Sequence, residues 1–477
     1  MRYFFNEKIE NVWQITEDRF VVEIFDEQGR NNKDRYYLMD RLGRIIDKPF
    51  ELVDDYGMEL FRQDGFFEVK RKGVTMLVDK FADEFIRDFE YASEFTDDEI
   101  STIKWKSGKC ELITRLGEIF SDEYSDYGAF ENGLCPVKID ENKYGYIDAN
   151  KVLQPAIFDG ITASFNNPQY SYFENNQGCF VINRNLEILS GPYDKILFID
   201  ECNNVWVNKG INFSLYTPTG ECLVKDAIIN YQKKDTYLVT KNNERYFIDK
   251  NGKRISNLTF DYAEPFRCGY APAYKGYDKN GEPIYTVLKR NGSTFRNKYG
   301  QAIVLGDNLL ALYVNGESDR TGKYFLFDGN ERRLGTRGYK RPFMAGENLF
   351  GFQVNNEKYT YVRNKNLKRF KENFDSISIF KFGYAEIKND EKIDLINPDE
   401  IKISDISQVV KAVDENPYLF ANLPNEIVES KRLYFDIYSY IIERLKDFQG
   451  DEKEKLLKLI TDIYEKNKNK GLGQFGE

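Results

Sequence analysis

The sequence predicts a mainly β protein: a tandem array of about eleven three-stranded units of about 35 residues each, followed by a small C-terminal α-helical domain. Three observations lead to this prediction. A short strand–turn–strand pattern returns at a nearly constant spacing along the chain. The 37 Phe and 33 Tyr residues supply side chains that favour strands. After residue 403 the apolar residues adopt the spacing of a helix.

The repeated pattern is an apolar strand that ends in Asp or another polar residue, a tight turn with Gly or Asn, and a second apolar pair. Its clearest copies are residues 144–153 and 246–255. A chain of 477 residues exceeds the size at which one core keeps growing, so a modular array fits its length. The equivalent positions, 32 to 40 residues apart, are Asp40, Asp79, Thr114, Asp148, Asn183, Thr217, Asp249, Lys289, Asp328, Arg363 and Ile396.

The second half of each unit is an aromatic-Asp pair, a further aromatic residue and an alternating strand after a Gly, as in residues 260–273 and 374–387. We expect the Asp before each tight turn to accept hydrogen bonds from turn amides, and Gly to supply the positive φ that the turn needs. Three short strands cannot bury both faces alone, so the units must stack into a superhelical or propeller-like array. The repeat period leaves open whether the array closes into a ring.

The array is expected to span residues 1–403, with the first 30 or so residues as an N-terminal cap. Residues 404–470 are predicted to form the helical domain, and residues 471–477 a flexible tail. The break at Asn416-Pro417 ends the first helix, a second begins near Pro424, and Gly450 precedes a third. These helices are expected to pack against one another and the last repeat, with docking into a partner's groove as the alternative. The residues that share one face of the first helix are Ile406, Val409, Val410 and Val413.

The repeat unit resembles the WG-repeat family, also called the KWG family. Residues 143–159 match its pattern, Tyr-Gly-Phe-Ile-Asp followed by a turn and an Ile-x-Pro step, almost throughout. Residues 246–273 match nearly as well, and the resemblance extends over roughly residues 30–400, with Tyr or other residues in place of the family's Trp. The resemblance implies a bacterial β-rich repeat protein that mediates protein interactions and has no catalytic residues.

Composition excludes most enzyme classes. The chain contains no His, which excludes Ser-His and Cys-His nucleophile pairs and His-containing zinc sites. It contains neither a phosphate-binding Gly-Lys-Ser/Thr loop nor a dinucleotide fingerprint, so no cofactor and no metal are expected. Six widely spaced cysteines are interpreted as buried free thiols: Cys110, Cys135, Cys179, Cys202, Cys222 and Cys268.

Paired carboxylates remain as the chemistry of a third, carbohydrate-active or carbohydrate-binding alternative. The candidate clusters are 54–55, 97–99 and 122–123, which we interpret as solvated loops in an acid-rich chain. The segments 249–252 and 278–281 superficially suggest calcium ligands, but the spaced oxygens of a calcium loop do not follow them. A hairpin turn is the preferred interpretation of both.

One basic run, interleaved with Phe370 and Phe374, is a weak candidate for an anion, nucleic-acid or partner contact. The preferred interpretation is a solvated hairpin turn, because Lys often protects an exposed strand edge. The run consists of Arg363, Lys365, Lys368, Arg369 and Lys371.

The function that these features favour is a non-enzymatic scaffold that binds another protein through its repeat surface, with affinity concentrated in a few aromatic and Arg residues. A regulatory or sensor subunit of a bacterial conflict or defence system is the first alternative. The net charge of −10 disfavours nucleic acid, and no apolar run is long enough to span a membrane. The N-terminal residues lack a secretion signal, so a cytoplasmic location is expected. Oligomeric state does not follow from the sequence.

Overall fold

The computed structural model describes residues 2–25, 35–53, 62, 64–96, 99–119, 124, 126–233, 235–314, 322–355 and 357–467. The chain divides into two compact units. The first comprises Met1–Glu84 together with Ala345–Glu477, and the second comprises Phe85–Met344. The fold is mainly β with a few small C-terminal helices, as the sequence predicts.

Short strands at the two ends of the array belong to the first unit. Strands β1 to β5 form one antiparallel sheet in the order β1-β5-β4-β3-β2. The N-terminal strands are β1 (Arg2–Tyr3), β2 (Ile9–Gln14), β3 (Arg19–Ile24), β4 (Tyr36–Asp40), β5 (Arg44–Ile45), β6 (Phe67–Arg71), β7 (Val74–Val78) and β8 (Glu84–Arg87), whose last three residues belong to the second unit.

The second unit contains the middle of the array, in successive groups of two to six antiparallel strands. Its strands are β9 (Phe89–Ala92), β10 (Ile100–Trp105), β11 (Cys110–Thr114), β12 (Leu134–Asp140), β13 (Lys143–Asp148), β14 (Ile161–Thr162), β15 (Tyr170–Asn175), β16 (Gly178–Asn183), β17 (Ile188–Tyr193), β18 (Ile196–Ile199), β19 (Val205–Lys209), β20 (Asn212–Tyr216), β21 (Cys222–Lys233), β22 (Thr236–Lys241), β23 (Glu244–Asp249), β24 (Tyr262–Ala263), β25 (Tyr270–Tyr277), β26 (Pro283–Lys289), β27 (Gln301–Gly306), β28 (Leu309–Tyr313), β29 (Tyr324–Asp328) and β30 (Arg333–Gly346), whose last two residues belong to the first unit.

The last strands and the α-helices belong to the first unit. The strands are β31 (Leu349–Gln353), β32 (Tyr359–Arg363), β33 (Ser376–Ile377), β34 (Ala385–Asn389) and β35 (Lys392–Ile396). The α-helices are α1 (Ile403–Glu415), α2 (Asn425–Glu429), α3 (Lys431–Arg444) and α4 (Gly450–Asn467). The predicted helix breaks at Asn416 and Gly450 are present, and the chain breaks once more at Ser430, which has an extended backbone.

The expected turn chemistry is confirmed. In one repeat, Oδ1 of Asp148 accepts hydrogen bonds from the amides of Asn150 and Val152, each at 2.9 Å. In the last repeat this role belongs to Asn397, one residue after the predicted Ile396. The calcium-like segments are turns of this kind, because the Asp249 and Asp278 carboxylates accept turn amides. The same pair of hydrogen bonds recurs at Asp40, Asp79, Asn183 and Asp328.

Several units keep the positive φ of the turn without Gly. Gly252 has φ 78° three residues after its Asp, and Lys151 has φ 65° at the equivalent position of another repeat. A left-handed conformation costs a residue with a Cβ about 1–2 kcal/mol. Gly avoids this cost, but its greater conformational freedom in the unfolded chain offsets part of the advantage. Turn geometry therefore overrides local preference at these positions.

Lys151→Gly is expected to be more stable than Lys151→Ala by about 0.5–1 kcal/mol, because only Gly relieves the positive φ. Both variants remove the same exposed side chain, so the comparison isolates the backbone. Urea denaturation of the two proteins measures the difference. Equal midpoints would show that this turn carries no backbone strain.

The helical segment packs against both ends of the array within the first unit. One core cluster contains Phe20 and Met39 of the first sheet, Leu395 of β35, and Val410 and Ile437 of the helices. The predicted packing on the last repeat is present, and the packing on the first sheet is an addition. The helices therefore connect the first repeat to the last.

A partly buried carboxylate strengthens this connection. Asp414 of α1 accepts hydrogen bonds from the hydroxyls of Tyr3 and Tyr440, and Nη1 of Arg444 lies 3.0 Å from it. Arg44 of β5 stacks over the Tyr440 ring at 3.9 Å. These contacts join the first sheet to α1 and α3.

The prediction of buried thiols holds only for part of the set. All six cysteines lie outside disulfides, and Cys135 and Cys179 are buried. Cys222 and Cys268 are exposed, because they lie beside repeat turns and outside the strand faces that form the core. The sequence pattern did not distinguish these two environments.

Candidate partner-binding surface

The predicted basic run lies on the turn after β32. The Arg363 guanidinium donates to Glu400 at 2.8 Å and to the Pro398 carbonyl at 2.9 Å, and stacks over Phe370 at 4.9 Å. It thus connects two successive repeats. The other members are the exposed Lys365, Lys368 and Lys371 and the half-buried Arg369, which donates to Asn373.

The aromatic residues of this run are not available for stacking on a ligand. Phe370 is 2% exposed and Phe374 is fully buried. Base stacking needs an exposed ring face. The exposed members of the run therefore present charge alone.

The acidic clusters lie mostly outside the described residues. Positions 54–55, 97–98 and 122–123 are not described, and only Glu99 of the three clusters is placed. Glu99 pairs with Arg115. The carboxylate-pair hypothesis stays a prediction.

A groove of about 810 Å³ lies in the first unit between residues 4–9, β34, β35 and the start of α1. Burial raises the pKa of Asp394 in this groove to about 6. Its carboxylate accepts from the amide of Leu395 at 2.8 Å and from the amide and hydroxyl of Ser404. Lys402 pairs with Glu372 at 2.7 Å. The Asp394 carboxylate therefore holds the start of α1 in place.

A line of tyrosines in the second unit is the better candidate. Across β24, β25 and β26, Tyr262 lies opposite Tyr274 and Tyr274 lies opposite Tyr285. The ring centroids of Tyr262 and Tyr274 are 5.5 Å apart, and those of Tyr274 and Tyr285 are 5.2 Å apart. Tyr277 adds a fourth ring, 5.7 Å from Tyr274. Register alone brings these side chains to one face of the sheet.

The next repeat continues the line. Tyr313 of β28 and Tyr324 of β29 have ring centroids 5.3 Å apart. Burial raises the pKa of Tyr324, and the hydroxyls of Tyr313 and Tyr285 add to this shift. We call this surface the tyrosine strip; its members are Tyr262, Tyr274, Tyr277, Tyr285, Tyr313 and Tyr324.

The strip combines exposed ring surface with neutral hydroxyl groups. Tyr277 is 56% exposed and Tyr262 is 36% exposed. The hydrogen bond between the Tyr274 and Tyr277 hydroxyls, together with burial, raises the pKa of Tyr274 to about 12, so its hydroxyl stays protonated at neutral pH. Arg245 lies 5.8 Å from the Tyr262 ring centroid. Rigid aromatic side chains with polar tips, beside an Arg, are typical of protein-binding surfaces.

The sequence pattern does not predict the tyrosine strip, although three of its residues lie close together in the chain. Tyr274, Tyr277 and Tyr285 follow one another closely, but the chain has 33 Tyr residues, many of them in the core. Tyr237 and Tyr361, for example, are fully buried. Only the strand register separates the exposed tyrosines from the buried ones.

Comparison with protein families now identifies part of the array. The model of the WG containing repeat matches residues 112–144 and 247–284. Both segments are therefore similar to the WG repeat. The first matched segment contains β12, and the second contains Tyr262, Tyr274 and Tyr277. The tyrosine strip therefore begins on a segment that matches the WG repeat.

Other comparisons add little. No curated protein matches the sequence significantly. A eukaryotic initiation factor structure is 9% identical with TM-score 0.33, covering 69% of this chain and 98% of its own. Hsv2p of Kluyveromyces lactis is 10% identical with TM-score 0.27, covering 48% and 90%, and the Pan2 WD40 domain of Neurospora crassa is 10% identical with TM-score 0.23, covering 48% and 86%. These likenesses carry no functional inference.

In the part of the chain that the structure describes, no helix is long and apolar enough to cross a bilayer. The same residues contain no group of three or more metal-ligating side chains in a suitable arrangement.

Proposed function

We propose that this WG-repeat protein is a non-enzymatic cytoplasmic scaffold that binds another protein, and that the tyrosine strip is the contact surface. The observation that carries the proposal is the cross-strand alignment of Tyr262, Tyr274 and Tyr285 beside the exposed ring of Tyr277. Tyr loses little conformational entropy on binding and offers both apolar area and a hydroxyl group. Strand pairing holds the rings in place before the partner arrives, which lowers the cost of association.

If the protein acts in a bacterial conflict or defence system, the captured partner is expected to be an effector protein. If it binds carbohydrate, glycan binding is expected to depend on the same tyrosines. Both are outcomes that the following experiment separates by the identity of what is captured.

Tyr277→Ala is expected to reduce capture of the partner at least about tenfold, since removal of a central aromatic contact costs about 2 kcal/mol or more. Cross-linking pull-down from the native host, followed by mass spectrometry, measures the loss. Tyr91→Ala is the matched control, because Tyr91 is also 56% exposed and lies on β9 of the same unit. Equal capture by the two variants would refute the role of the strip.

A further inference from the structure

We infer that the partner reaches the tyrosine strip with a peptide segment that carries acidic residues at one end, where they contact a basic bulge on β30. This inference rests on the proposed function and names the chemistry of its ligand. The basic bulge comprises residues 332–341, and its cations are Arg332, Arg333, Arg337, Lys340 and Arg341.

The charge of the basic bulge contrasts with that of the whole protein. The chain has a net charge of −10, yet residues 332–346 contain five basic residues and no acidic residue. The Arg332 side chain is 76% exposed, and Arg337 and Arg341 are also exposed. A local positive field of this kind selects and steers a negatively charged ligand group.

Irregular pairing projects this segment from the sheet. Phe327 pairs with Arg333 and Phe325 pairs with Gly338, so extra residues of β30 stand opposite a single residue of β29. Gly335, in the middle, has φ 86°. Bulges re-aim side chains and are common beside binding sites.

The acidic residues that precede the bulge are already engaged. Asp328 accepts the turn amides of its own repeat and the Arg332 guanidinium at 2.8 Å. Glu331 accepts the amides of Arg296 and Asn297 and the Tyr299 hydroxyl. These hydrogen bonds lower the pKa of both carboxylates despite their partial burial.

The basic bulge adjoins the tyrosine strip. Tyr324 of the strip pairs directly with Tyr339 of β30, so the two side chains share one face of the sheet. The Arg337 guanidinium lies 5.4 Å from the Tyr339 ring centroid. A single extended ligand can therefore contact the tyrosines and the cations together.

The distribution of charge favours a peptide over a nucleic acid. Asp261 and Glu264 flank β24, the strand that carries Tyr262, so carboxylates lie beside the first strand of the strip. A nucleic acid is uniformly anionic and would meet these carboxylates along its length. A peptide can be acidic at one end only, which matches the charge pattern of the surface.

Arg341 is exposed and allows a direct test. Its φ is 43°, a left-handed conformation that costs a residue with a Cβ and that Gly would relieve. Arg341→Gly is therefore expected to raise the melting temperature and to weaken ligand binding, a combination that a purely structural residue does not give.

The test uses fluorescence anisotropy with the full chain and three labelled probes: a random copolymer of Glu and Tyr, polyglutamate and a 20-nucleotide oligo(dT). We expect the copolymer to bind most tightly, and Arg337→Glu/Arg341→Glu to weaken it about tenfold or more. Lys143→Glu/Lys250→Glu is the control, because it changes the net charge equally at exposed positions of the same unit. No copolymer binding, equal binding by both double variants, or tighter binding of oligo(dT) would overturn the inference.

The same double variant separates this inference from the proposed function. If partner capture falls in Tyr277→Ala but is unchanged in Arg337→Glu/Arg341→Glu, the strip is the interface and the acidic-peptide inference is wrong. If capture survives in Tyr277→Ala, the proposed function itself fails.

Discussion

Asp200→Ala is expected to destabilise the second unit by about 3–5 kcal/mol, because it removes one buried charge that satisfies several buried partners. Asp200 is 5% exposed. Its Oδ2 accepts from Nε1 of Trp206 at 2.7 Å and from the hydroxyl of Tyr237 at 2.8 Å. Its Oδ1 accepts from two turn amides, those of Cys202 and Asn204. The substitution would leave all four donors without this acceptor.

Thermal denaturation and urea titration measure this loss. Asp249→Ala is the matched control, because Asp249 makes the same two turn hydrogen bonds at an exposed position. We expect that control to cost only about 1 kcal/mol, the usual contribution of such hydrogen bonds. Equal losses for the two variants would show that Trp206 and Tyr237 gain little from Asp200.

Ile437→Ala is expected to cost the first unit about 2–5 kcal/mol and to loosen the first sheet together with the helices. Ile437 is fully buried in the cluster that contains Phe20, Met39 and Leu395. A cavity there removes contacts from strands at both ends of the array. Hydrogen exchange should therefore quicken in β3 and β4 as well as in α3.

Ile442→Ala is the control for this experiment, since Ile442 lies on the same helix and is 38% exposed. It is expected to change stability by about 0.5 kcal/mol or less. Faster exchange in the helices with unchanged exchange in β3 and β4 would contradict the coupling of the two ends.

This coupling changes how the helices are best tested for partner binding. Removal of residues 399–477 would uncover Phe4, Phe20 and Met39, so a lost partner could reflect an unfolded first unit. Point substitutions at exposed apolar positions of the helices avoid this ambiguity. Phe435 and Ile442 of α3 are such positions.

The repeat period and the turn chemistry could be predicted from the sequence because both are local. The Asp before the turn, as at Asp148, makes the same pair of hydrogen bonds in each repeat that has Asp at this position. The helix breaks at Asn416 and Gly450 are local signals of the same kind. The break at Ser430 was missed because the apolar spacing continues through it.

By itself, the sequence determined the fold class and the repeat, and it excluded catalysis or metal binding by His. Composition and short-range spacing decide these properties. Only the tertiary structure decided which of 33 tyrosines are exposed, because cross-strand register is a long-range property. The tertiary structure likewise decided that the helices join β3 to β35. Phe20 and Leu395 belong to one core cluster, although most of the chain lies between them in sequence. No local pattern encodes a contact across that distance.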